Sequence, residues 1–226
     1  MKTSGLFLAC FTLFFGMASI GAQATFQNLN FESANLPQIP PGQTGGIVAF
    51  SDALPGWVGY LGANLTTNVY HNELSAGSAR INIIGPEFPT TAILEGQYTL
   101  ALQSGGPQEP SVEASIAQIG LLPMDIQAIQ VKASGSNFAV SFKGQSIAFS
   151  PIGNGPNYTL YQGDVSAFAG QLGELRLSSI APPNPFTVSL DSISFVSVPE
   201  PSSTLFLLTG GTFALVTSFR RRGFSP

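Results

Sequence analysis

Between residues 25 and 198 apolar side chains recur at every second position in short runs, and the runs are broken by Gly, Pro and Asn. Two is the side-chain period of a strand, whereas a helix needs 3.6, so this rhythm commits the body to sheets. NFAVSF places Phe138, Val140 and Phe142 on one face and Ala139 and Ser141 on the other. Lys143-Gly144-Gln145 then turns the chain back into Ser146-Ile147-Ala148-Phe149, which predicts a hairpin. The runs GGIVAF, TTNVYH, ARINII, YTLALQ, ASIAQI, AIQVKA, ELRLSS and FTVSLDSISF read the same way. Only 165–172 and 124–129 have a helical rhythm, and both are too short to set the class. About nine or ten short strands with turn-rich joints predict an all-β sandwich.

Charge narrows the partners. Residues 25–198 carry 11 acidic and 4 basic side chains, a net charge of −7 (4 − 11). Four scattered cations cannot neutralise a run of phosphates, so nucleic acid is not the expected partner. The chain has 1 cysteine, Cys10, and 1 histidine, His71. Cys10 lies in a segment that reads as a secretory signal peptide: Lys2, an apolar core over 6–20, then Ala22-Gln23-Ala24 as the cleavage site. Its removal leaves no disulfide, no thiolate nucleophile and no cysteine-bound metal, and one histidine cannot build a multi-histidine zinc site. In NVYHNE, His71 reads as a solvent-facing strand position.

Two stretches break the alternation. In TVSLDSISF the apolar parity runs through Val188 and Leu190, then skips to Ile193 and Phe195, which predicts a β-bulge at Asp191-Ser192 that re-aims Asp191. FQNLNFES shifts likewise from Phe26 to Leu29 and Phe31, with Glu32 following. These two stretches, with PGW at 55–57, resemble the galactose-binding-like jelly-roll sandwiches, which include many carbohydrate-binding modules. The resemblance implies an antiparallel jelly-roll β-sandwich in which an opening strand lies beside the closing one. It also implies a structural calcium held by Glu32 and Asp191, since calcium prefers hard oxygen ligands. The alternative is two solvated acids beside a sheet edge.

Sugar recognition uses aromatic faces flanked by amides and carboxylates. Trp57 and Tyr60, in LPGWVGYLG, are the leading candidates, with Tyr70, Asn72, Tyr158 and Tyr161 behind them. Trp57 follows a Pro-Gly turn and could equally plug the sandwich. The glycine-bearing stretches GGIVAF and SGGPQEP lack the helix and the Lys-Ser/Thr of a phosphate loop. No catalytic residues are assigned.

The end of the chain has three parts in order: Pro199-Glu200-Pro201, an apolar run over about 204–219, and Arg220-Arg221-Arg222. Prolines fix an extended backbone, and arginines at one end of an apolar run hold that end on the cytoplasmic side of a membrane. This pattern resembles the PEP-CTERM sorting signal of exported proteins from Gram-negative bacteria that make extracellular polysaccharide. It implies a single C-terminal transmembrane helix and processing near Pro-Glu-Pro by an exosortase. The organisation read from the sequence is therefore a signal peptide at 1–24, a sandwich body at 25–198, a sorting signal at 199–222 and a tail at 223–226.

The expected protein crosses the inner membrane, is transiently anchored, and ends at the cell surface or in the extracellular matrix. It is expected to be non-catalytic and to bind exopolysaccharide through its body. The alternatives are a carboxylate-dependent hydrolase of matrix polysaccharide and a purely structural envelope protein.

Overall fold

The period-two runs form two sheets that face each other across one core. The structure, a computed structural model, describes residues 25–73, 77–88, 93–105, 112–180 and 187–197. The signal peptide, the Pro199-Glu200-Pro201 motif, the apolar run and Arg220-Arg221-Arg222 lie outside the described residues. The larger sheet has eight strands in the order β1 (Gly46–Ala49), β4 (Asn68–His71), β5 (Arg80–Ile84), β6 (Thr99–Gln103), β14 (Thr187–Ser197), β8 (Ile126–Ser134), β12 (Thr159–Asp164) and β11 (Phe149–Asn154). The smaller has six: β10 (Gln145–Ile147), β9 (Phe138–Phe142), β13 (Leu172–Ser179), β7 (Ala114–Leu121), β2 (Val58–Leu61) and β3 (Asn64–Thr66). Neighbours pair antiparallel, except that β4 and β5 run parallel with Tyr70 opposite Asn82 and His71 opposite Ile83. Among the described residues no helix is long and apolar enough to cross a membrane.

Strand alternation accounts for the core. Val140 and Phe142 from β9, Leu175 and Leu177 from β13 and Ile116 from β7 meet Ile81 and Ile83 from β5, Leu100 and Leu102 from β6 and Val131 from β8. A β-carbon on Gly59 would collide with the Phe50 ring and with Ile81, so the sheets close tightly at β2 only because that position has no side chain.

The sheet edges are all short or interrupted. β3 and β10 have three residues each and β1 has four. β11 carries Pro151 and a register shift between Pro151 and Gly153. Such features are how native sheets blunt an edge against further pairing.

Several sequence expectations meet the structure directly. The β9–β10 hairpin turns at Lys143 (φ 52°) and Gly144 (φ 75°), with Phe142 opposite Gln145. Positive φ at both central residues matches the right-handed twist of the flanking strands. The bulge in β14 falls between Asp191 and Ser194, with Ser192 at φ 46°. The opening stretch FQNLNFES is not a strand. Asn28 and Phe31 take φ of 49° and 59°, and these left-handed residues break extension so that Phe31 enters the core. Residues 166–168 form one 3-10 turn, while 126–129 belong to β8.

Candidate functional site

Trp57 is a core residue, 5% exposed, so it is not a binding platform. The turn before it delivers the indole against Phe31, with ring centroids 6.1 Å apart, and its Nε1 donates to the Asn28 carbonyl at 3.1 Å. That bond satisfies the polar atom a buried tryptophan must pair. Tyr60 stands in β2, half-buried. Arg176 of β13 lies over its ring, 4.3 Å from the centroid. The guanidinium is fixed there by Glu174 Oε1 at 2.9 Å and by donating to Ser115 Oγ at 3.0 Å. One face of Tyr60 is thus occupied by a cation, a contact favoured by the ring quadrupole.

Glu32 and Asp191 come together, as the resemblance to galactose-binding-like sandwiches implies. They border one small cavity of about 150 Å³ with Asn30, Glu95, Gly96 and Ser192. Asp191 is fully buried. Its Oδ2 accepts from Thr99 Oγ1 at 2.7 Å and from the Glu95 amide at 3.2 Å, and its Oδ1 from the Ser192 amide at 2.7 Å. Glu32 Oε1 accepts from the amides of Gln97 and Tyr98 at 2.9 and 3.0 Å. Burial pushes the Asp191 carboxyl up to about 6; the hydrogen bonds from Thr99, Ser192 and Glu95 oppose that rise, and the Glu32 charge adds to it. Lys132 lies 2.5 Å from Glu95, and its hydrogen bond, with one from Ser192, holds that carboxyl below its ordinary range.

The donor chemistry at this cavity suits calcium, being oxygen throughout. Its side-chain oxygens come from Glu32, Asp191, Asn30, Ser192 and Glu95, the last already paired with Lys132; calcium takes six to eight oxygens, so backbone carbonyls and water would complete the shell. Among the described residues no three of His, Cys, Asp and Glu converge to hold a metal.

A larger cleft, about 580 Å³, lies between the 39–44 loop, Asn72-Glu73 and Glu87-Phe88. Pro40 and Gln43 close a turn in that loop through Gln43 N to Pro40 O at 3.1 Å, with Gly42 at φ 85° supplying the left-handed corner. Across the cleft Asn72 sits at φ 55° just past the end of β4. Its Oδ1 accepts from the Gly85 amide at 2.7 Å and its Nδ2 donates to Glu87 Oε2 at 3.4 Å, which ties the end of β4 to the turn after β5. Glu73 pairs with Arg80 at 3.4 Å. Behind Glu87 lies His71, and here the structure corrects the solvent-facing reading. His71 is 4% exposed, with Nε2 3.9 Å from Glu87 Oε2 and no hydrogen-bond partner. Strand alternation itself requires this, since His71 lies two residues after Val69 and shares its buried face, while Asn68 and Tyr70 share the other. Burial lowers the His71 pKa, against the pull of Glu87.

Of the aromatic residues behind Trp57 and Tyr60, Tyr161 packs on Phe138 at the core, with centroids 5.2 Å apart. Tyr70 lies under Arg80, and Tyr158 under Lys132. Only Asn72 reaches the large cleft. Gln43, Glu87 and Phe88 have no signal in the sequence beyond loop composition, because two separate connections carry them.

Residues 197–222 match the family model of the PEP-CTERM protein-sorting motif. The motif marks the chain for export and sorting to the cell envelope or surface, and implies processing by an exosortase. No curated protein matches the chain. Among solved structures, TmCBM61 in complex with beta-1,4-galactotriose superposes with a TM-score of 0.43 at 11% identity, over 78% of this chain and 100% of that one. The K1 cleaved adhesin domain of Lys-gingipain from Porphyromonas gingivalis W83 gives 0.39 at 10% identity, over 70% and 100%. An exo-beta-agarase gives 0.34 at 13% identity, over 79% of this chain and 25% of that one.

Proposed function

We propose that this is an exported, non-catalytic protein of the cell surface or extracellular matrix, and that its body binds matrix polysaccharide in the cleft formed by the 39–44 loop, Asn72, Glu73, Glu87 and Phe88. The sorting motif at 197–222 supports the destination. The cleft supports the ligand class, and its composition is the observation that carries the reading. Sugar hydroxyls both donate and accept, and the wall offers the exposed Gln43 amide beside carboxylates at Glu73 and Glu87, with buried Asn72 holding Glu87 in place. Sugar rings also present apolar C–H faces, for which Phe88 and the Pro40-Pro41 surface are suited partners. A mostly apolar wall with a few placed polar groups is the usual make-up of a ligand pocket.

The non-catalytic part of the reading has its own support. Among the described residues, the carboxyl raised furthest is Asp191, buried under three donors rather than exposed in the cleft. A general acid has to reach its substrate. Calcium belongs to the same proposal, as a structural ion between Glu32 and Asp191. Its support is the shared cavity and the like-charge repulsion there, which a divalent cation would relieve.

The test is a glycan array that includes the producing cell's own polysaccharide, probed with the exported protein and with Gln43→Ala and Glu87→Gln variants. Binding by the parent is expected, with a loss of about threefold to tenfold in Gln43→Ala and about tenfold in Glu87→Gln, as loss of one neutral and one charged hydrogen-bond partner predicts. Binding unchanged in both variants would remove the cleft from the proposal. Release of reducing ends from a bound polysaccharide would overturn its non-catalytic part.

A further inference from the structure

The end of the sandwich from which β14 leaves carries a second surface. Four strand ends gather there. Ser197, last in β14, pairs with Ile126, first in β8, and Leu172, first in β13, pairs with Leu121, last in β7. Leu122 N donates to the Gln171 carbonyl at 3.1 Å and Gly170 N to the Pro123 carbonyl at 3.2 Å, joining the two connecting turns. The beginning of the body closes the same end: the Phe26 ring lies 5.4 Å from Phe195 and fills the space over Gly120. Around this plugged end stand Ile119, Met124 and Leu172, exposed by 62%, 81% and 56%. Met124 is the most exposed large apolar side chain among the described residues.

What covers these side chains follows from where the chain goes next. Residues 198–203 alone separate Ser197 from the apolar run at 204–219. Six residues reach at most about 20 Å when fully extended. On the reading that the run enters a bilayer, on which this inference rests, the exit end of the body is held within one strand length of the lipid surface. We propose that this end is a membrane-docking surface, with Ile119, Met124 and Leu172 resting in the bilayer interface while the tail is anchored. Three side chains make a weak contact by themselves, but a short tether turns it into an intramolecular one at high effective concentration. Asp125 and Asp164 are exposed at this end, and the Lys143 ammonium is engaged by Gln171 at 2.9 Å. Among the described residues this end thus carries two acids and a single lysine, which is not a cationic patch that would select anionic lipid, and the contact is apolar.

The experiment uses the full chain in a Cys10→Ser background, with an environment-sensitive fluorophore on single cysteines at Met124→Cys, Ser136→Cys or Ala214→Cys. Ser136 lies beyond the far end of β8, about 30 Å from Met124 at a strand's rise per residue. Each protein is reconstituted in phosphatidylcholine vesicles whose acyl chains carry a quencher. Quenching is expected at Ala214, and several-fold more at Met124 than at Ser136. Adding Ile119→Glu and Leu172→Glu should abolish the Met124 excess and leave Ala214 quenched. Equal quenching at Met124 and Ser136 with Ala214 quenched overturns the docking surface alone. No quenching at Ala214 overturns the anchoring reading and the docking with it. A Met124 signal that appears without lipid and grows with protein concentration assigns the surface to a second copy, and also overturns the proposal.

Discussion

Asp191 titrates in the fold at about 6 against an ordinary 3.8, because burial outweighs its three hydrogen bonds. The folded protein therefore holds this proton over a range in which the unfolded chain has released it. Stability from this group is greatest below about pH 4 and falls as pH rises through about pH 6. A gap of about two pH units between the folded and unfolded carboxyl corresponds to about 3 kcal/mol. His71 acts with the opposite sign: burial lowers it from 6.5, so the unfolded chain takes up the proton first and acid costs stability. Comparing wild type with Asp191→Asn cancels the histidine. Urea titrations should show the stability difference between the two proteins changing by about 2 kcal/mol between about pH 4 and pH 7, with wild type relatively weaker at the higher pH. Calcium at Glu32 and Asp191 would remove that weakness. Its addition at about pH 7 should raise the melting midpoint and EDTA should reverse it, while a midpoint indifferent to both leaves no ion there.

At the level of elements, the bulge in β14 is what brings Asp191 to Glu32. Ser192 takes φ 46° to make it, a conformation that β-branched side chains avoid. Ser192→Val should cost about 1–3 kcal/mol in urea titrations while Ser192→Gly costs little, and equal losses would mean the hydroxyl contact with Glu95 matters more than the backbone. This bulge was legible in the sequence because an inserted residue shifts the apolar parity of a long, regular strand. Strands β9, β8 and β13 were legible for the same reason. β2, β3, β11 and β12 were not, since VGYL, NLT, FSPIGN and TLYQGD mix Gly, Pro and Asn into short runs whose two faces differ little. The opening stretch failed differently: Phe31 enters the core and Phe26 and Leu29 pack half-buried against it, but they arrive through left-handed turns. The cleft is the least legible feature. Its residues come from loops far apart in sequence, and no periodicity links Gln43 to Asn72 or Glu87.

For the whole molecule, the sorting motif begins at the residue where β14 ends, so the body and its address are joined with almost no slack. Processing near Pro199-Glu200-Pro201 should leave the sandwich intact. Intact-mass measurement of the surface form is expected to give a chain ending close to that motif, whereas Pro199→Ala with Pro201→Ala should enrich the unprocessed form in the membrane fraction. Detection of the complete tail on the mature surface protein would exclude cleavage.

The blunted sheet edges bear on life outside the cell. A protein sorted to the cell envelope or surface works beyond the reach of cytoplasmic chaperones, and residues 25–198 contain no cysteine with which to lock their shape. Three-residue strands at β3 and β10, four residues at β1 and a proline-bearing, bulged β11 give a neighbouring copy little straight backbone on which to add a strand. Crowded copies can then remain separate folded bodies rather than growing into cross-β fibrils.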